Sequence, residues 1–97
     1  MKGNWSIQEE GGKTYVKLHS NFNTKNGPDL KVFLHDSAIE TVVGKNVVKG
    51  SLLLGRLKSN KGEQKYLVPN NINIANYKSV LIHCEKYTVL WGGGKLF

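Results

Sequence analysis

With 97 residues, 39% of them hydrophobic and 22% charged, the chain has the size of one domain and the balance of a folded one; that excludes wholesale disorder and leaves little interior for a deep catalytic cavity. No run approaches the ~20 apolar residues of a membrane helix, and Met1-Lys2-Gly3-Asn4-Trp5 has none of the apolar character of a signal segment. The net charge of +7 comes from thirteen lysines and a single arginine, Arg56, dispersed along the chain; base-edge reading and bidentate phosphate clamping favour arginine's planar fork, so the surplus reads as a basic, solubilising surface and nucleic-acid binding is not favoured.

Turn signals recur about every ten residues, with β-branched and aromatic residues between them, the rhythm of an all-β fold. Trp5 to Gln8 and Lys13 to Leu18 flank Glu9-Glu10-Gly11-Gly12 as a hairpin, with Val16 and Leu18 on one face and Tyr15 and Lys17 on the other. A loop over 23–29 follows. Leu30, Val32 and Leu34 then alternate with Lys31, Phe33 and His35 as a half-buried strand. Ser37 to Thr41 is a turn or short helical piece, and Val42 to Val48 is apolar but interrupted by Gly44 and Asn46. Ser51 to Leu57 reads as a strand, the stretch 58–63 as a loop, and Gln64 to Val68 as a strand closed by Pro69. Asn70 to Tyr77 holds one helical turn, Ser79 to Cys84 and Tyr87 to Trp91 are the last strands, and the tail Gly92-Gly93-Gly94-Lys95-Leu96-Phe97 docks through its two apolar residues. The expectation is a single domain over 1–97: a small antiparallel β-sandwich or partly open barrel with at most one short helical turn.

Few residues carry chemistry. Cys84, the only cysteine, shares a strand face with Val80 and Ile82. It is either a small buried hydrophobe or a reactive thiol, and reactivity requires exposure and a thiolate-favouring neighbour. Lys86 falls on the same face if the strand continues, and its ammonium would favour the thiolate; His83 falls on the opposite face unless a bulge intervenes. Asn26-Gly27-Pro28-Asp29 is a structural turn: Pro28 fixes its own φ, Gly27 tolerates unusual dihedrals and Asp29 accepts from loop N–H groups. His19, His35 and His83 match no metal-ligand spacing, so no metal site is expected. No cofactor is evident, and a haem would have only a histidine to hold it. Gly92-Gly93-Gly94-Lys95 lacks the spacing of a phosphate loop.

Four segments in series carry a resemblance. They are FNTKNGPDLKVFL over 22–34, LGRL over 54–57 running into KSNKGEQKY over 58–66, YKSVLIHC over 77–84, and YTVLWGGGKL over 87–96. In this order and spacing the chain resembles the DM-thirteen domain, the extracellular "electron transfer" domain of Skeletor-like proteins, over about three quarters of its length. The resemblance implies a β-rich domain, secreted, periplasmic or membrane-tethered, with its signal segment or tether outside this chain. It further implies a redox role centred on Cys84 and a redox protein as partner, since the family accompanies DOMON-type and b-type cytochrome domains. Against the resemblance, the family's usual first strand upstream of Trp5 is missing or shortened, which implies either a trimmed chain or a sheet edge open to pairing into an oligomer. The tail is glycine-rich where the family tends to carry an alanine.

Three functions are in competition. The first is an extracytoplasmic electron-transfer or thiol-redox accessory domain, rather than a stand-alone enzyme, with Cys84 as its redox atom tuned by Lys86 and His83. The second is a binding module for carbohydrate, haem or a protein partner, drawing on Trp5, Tyr66, Tyr87 and Trp91. The third is an oligonucleotide-binding barrel of similar size.

Overall fold

The computed structural model describes residues 2–27, 29–42, 50–84 and 89–96. Among these residues seven strands make two antiparallel sheets: β1 (Trp5–Glu10), β2 (Lys13–Leu18) and β5 (Gln64–Val68) in the order β1-β2-β5, and β3 (Leu30–His35), β4 (Ser51–Arg56), β6 (Ser79–Cys84) and β7 (Val89–Lys95) in the order β4-β3-β6-β7. The sheets form a sandwich without barrel closure. Each of the two stretches that allowed a helical turn holds one 3-10 turn, Ile39–Thr41 and Ile74–Asn76, so the described residues hold two where at most one was expected.

The β1–β2 hairpin is longer than its sequence pattern suggested. Strand pairing runs out to Glu10↔Lys13, leaving only Gly11 and Gly12 in the turn, at φ 57° and 78°. A two-residue turn with both centres at positive φ matches the twist of its strands, and glycine takes it without steric cost. Between the sheets lie Val16 and Leu18 of β2, Tyr66 and Val68 of β5, Leu30, Val32 and Leu34 of β3, and Val80, Ile82 and Cys84 of β6. Period-2 alternation delivers each of them to the inner face.

β3 departs from the half-buried expectation. Its outward Phe33 and His35 are buried as well, and all six residues of β6 are buried. For Phe33 and Leu81 the cause is a second, smaller apolar cluster on the outer face. Phe33, Leu81 and Val42 pack there with Ile39 and Leu90, so the 3-10 turn Ile39–Thr41 and the residue after it form a third layer. The rest of the apolar stretch after Val42 lies outside the described residues. The tail is a strand rather than a loose end; Leu96 docks into the core as expected, and Phe97 lies outside the described residues.

Two of the three glycines in β7 make sense from packing. A Cβ on Gly94 would stand within van der Waals overlap of the Trp5 indole, and one on Gly93 would meet Ile39 Cδ1 at 2.6 Å and Leu81 Cδ2 at 2.9 Å. Gly94 thus makes room on the inner face and Gly93 on the outer. The Trp5 indole N–H donates to the Lys95 carbonyl at 2.8 Å, fastening β1 to β7 across the sandwich.

Candidate functional site

Cys84 ends β6, its side chain on the inner face with Val80 and Ile82 and no accessible surface. Its cross-strand partners are Leu30 on β3 and Val89 on β7. His83 faces the other way, as strand alternation requires: it lies in the outer layer, edge-on to Phe33 with ring centroids 5.9 Å apart and an interplanar angle of 81°. Lys86 lies outside the described residues. The structure therefore separates Cys84 from His83 by the thickness of the strand.

The register of the β6–β7 pair shifts between Ile82 and His83, so that Gly92 opposes Ile82 and Leu90 opposes His83. Trp91 is the extra residue of this bulge, and bulges re-aim side chains. Its indole packs at the edge of the main core and against Gly27: a Cβ there would come within 2.7 Å of Cζ2. The indole N–H donates to the Lys25 carbonyl at 2.7 Å. Gly27 is thus needed for close approach. The left-handed backbone of this turn belongs instead to Asp29, at φ 56°, a region that aspartate visits more readily than most residues. Pro28 lies outside the described residues.

The same end of the sandwich carries an open cleft of about 400 Å³ between the loop before β3 and the loop after β4. Thr24 N–H to the Asn60 carbonyl at 2.8 Å and Leu57 N–H to the Leu30 carbonyl at 2.9 Å hold the two loops side by side. Leu30 and Leu57 line the cleft; Asn26, Asp29, Arg56, Lys58, Ser59 and Asn60 supply its polar groups. Directly opposite residues of an antiparallel pair stand about 5 Å apart at Cβ. Leu30 therefore separates this cleft from the Cys84 side chain. Sequence reading missed the cleft because it is formed by loops about 30 residues apart.

The aromatic residues considered for binding are otherwise engaged. Tyr66 is buried; its hydroxyl donates to Gln64 Oε1 and accepts from the Lys58 N–H at 2.9 Å, and burial pushes its pKa up from the ordinary 10.0. Trp5 and Trp91 are spent on glycines, and Tyr87 lies outside the described residues. The basic surface is partly neutralised locally. Lys17 and Lys65 stand directly opposite on β2 and β5, but Lys17 pairs with Glu63 at 3.2 Å and Lys65 with Glu10. The Lys65 ammonium also lies 4.5 Å from the centre of the Tyr15 ring.

The three histidines do not converge. His19 shares a hydrogen bond with the Ser6 hydroxyl at 2.8 Å, and His35 Nδ1 accepts from the Ser37 N–H at 3.0 Å. His35 and His83 oppose Ser79 and Lys31, at opposite ends of the β3–β6 pair, so four residue steps of roughly 3.3 Å separate them along the sheet.

A family model described as Electron transfer DM13 matches residues 1–96. The chain belongs to the DM13 family. The family's description makes this DM13 chain an electron-transfer-type domain, and the all-β sandwich agrees with the fold that the four sequence segments implied. No curated protein and no solved structure matches it.

Proposed function

We propose that this DM13 domain is an extracytoplasmic thiol-redox accessory domain in which Cys84 exchanges electrons with a protein partner. The observation that carries the reading is the family match over nearly the whole chain, together with Cys84 as the only sulfur in the sequence that can cycle through a disulfide. In the exchange the Cys84 thiolate attacks one sulfur of a partner's disulfide. The Cys84–partner S–S bond forms, the partner's own S–S bond breaks, and its second sulfur leaves as a thiolate. Lys86, two residues on, favours the attacking thiolate by its charge. His83, held in the outer layer, tunes the thiol only when the end of the strand opens.

Because Cys84 is sealed in the closed fold, the exchange proceeds through local opening of the β6–β7 end. Such sub-global opening costs less than global unfolding. Its location has two supports: Cys84 is the last residue of β6, and its β7 partner Val89 is one of the exposed large hydrophobics.

The test is alkylation of Cys84 by iodoacetamide across a urea series below the unfolding transition, with glutathione disulfide as a second reagent. A labelling rate with a urea slope well below that of global unfolding, and a Cys84–glutathione adduct with release of one reduced glutathione, are expected. Lys86→Gln slows both. Labelling that follows global unfolding at every urea concentration would overturn the proposal and leave Cys84 as a core residue.

A further inference from the structure

We infer that the cleft between the loop before β3 and the loop after β4 is a binding site for a small hydroxylated monocarboxylate of the sugar-acid class. Its volume of about 400 Å³ lies in the range of small-molecule sites. The chain has thirteen lysines and one arginine, and that arginine, Arg56, is at this cleft. A guanidinium presents the planar fork that a carboxylate accepts bidentately.

Charge fixes the class further. Among the described residues the ion pairs are Lys17–Glu63, Lys31–Asp29, His35–Asp36 and Lys65–Glu10, so Arg56 is not committed to a carboxylate. The other cation lining the cleft, Lys58, is already engaged: its ammonium donates to the Lys65 carbonyl at 2.7 Å and lies 5.1 Å from the centre of the Tyr66 ring. One available cation suits one negative charge. Asp29 lines the same cleft and opposes a dianion such as a phosphate monoester, while its carboxylate accepts from hydroxyl groups. Its contact to Lys31, at 3.6 Å, leaves acceptor capacity unused. Asn26 is exposed at the rim and adds an amide that both donates and accepts. Leu30 and Leu57 offer an apolar floor for the C–H face of a sugar ring. Nothing in this assignment uses Cys84, so it stands or falls independently of the redox proposal.

The test is an amide-resolved NMR titration of the domain with D-glucuronate, D-glucose and inorganic phosphate in turn. Glucuronate is expected to give saturable shifts confined to residues 24–30 and 56–60. Glucose, lacking the carboxylate, binds there about tenfold or more weakly, the size of one lost charge-assisted hydrogen bond. Arg56→Gln weakens glucuronate by a similar factor, and Arg56→Lys falls between because it keeps the charge and loses the fork. Arg56 is exposed, and its strand pairing with Lys31 is through the backbone, so both variants retain the fold; their unshifted spectra elsewhere check this. The inference is overturned if glucuronate gives no saturable shift at these residues, if phosphate binds there as tightly, or if Arg56→Gln binds glucuronate as well as the original chain.

Discussion

Replacing Gly27 by alanine tests the contact that closes the Cys84 end of the sandwich. The new Cβ would stand 2.7, 3.0 and 3.1 Å from Cζ2, Cη2 and Cε2 of Trp91, whereas carbon atoms rest about 3.5–4.0 Å apart. The indole must retreat by about 1 Å. Its N–H bond to the Lys25 carbonyl, at 2.7 Å, does not survive that movement. Losing the bond costs about 1 kcal/mol, and exposing ~40 Å² of indole adds about 1 kcal/mol at ~25 cal/mol per Å². The backbone is not the obstacle, because a residue before proline is held extended, where alanine is at home. Alanine returns ~0.4–1 kcal/mol through the unfolded chain. The net loss is about 1–2 kcal/mol, a fall of roughly 0.5–1 M in the urea midpoint for a typical m-value. If unseating Trp91 is part of the opening that exposes Cys84, alkylation of the native protein accelerates about tenfold. A double-mutant cycle isolates the contact: in a Trp91→Leu background the same alanine should cost almost nothing. A Gly27→Ala protein as stable as the original, with unchanged labelling of Cys84, would refute the argument.

Gly94→Ala should be more damaging, because its Cβ overlaps the Trp5 indole and forces that ring off the Lys95 carbonyl; a loss of about 2–3 kcal/mol is expected from one hydrogen bond and ~60–80 Å² of re-exposed indole, measured as a fall in Tm of ~10–20 °C. At the Glu10–Lys65 pair, the hydrogen bond and charge of Lys65 hold the Glu10 carboxyl below its ordinary 4.5. The stabilisation is present above that ordinary value and fades as the pH falls through the lowered one. Carbon-detected NMR should show Glu10 titrating late in acid, and Lys65→Met should return it to the usual carboxylate range; no return would deny the pairing.

The all-β class, a hairpin turning within residues 9–12, the inner-face residues of β2, β3 and β6, and the opposite orientation of Cys84 and His83 were all legible in the sequence. Each follows from a local rule: period-2 alternation or the dihedral freedom of glycine. The four spaced segments likewise carried the family. What they could not carry was anything set by residues distant in sequence. The burial of Phe33 depends on a layer placed over β3 by Ile39 and Val42, and alternation cannot foresee a covering segment. The same limit applies to Gly27, Gly93 and Gly94, whose partners Trp91, Ile39 and Trp5 lie 64, 54 and 89 positions away. The sequence alone determined which residues could be inside and that one thiol was available. Only the tertiary structure decided that the thiol is sealed in the core between the sheets, and that the single arginine lines a cleft. Burial and cleft geometry are properties of which strands and loops become neighbours, and that is settled by long-range packing rather than by any local pattern.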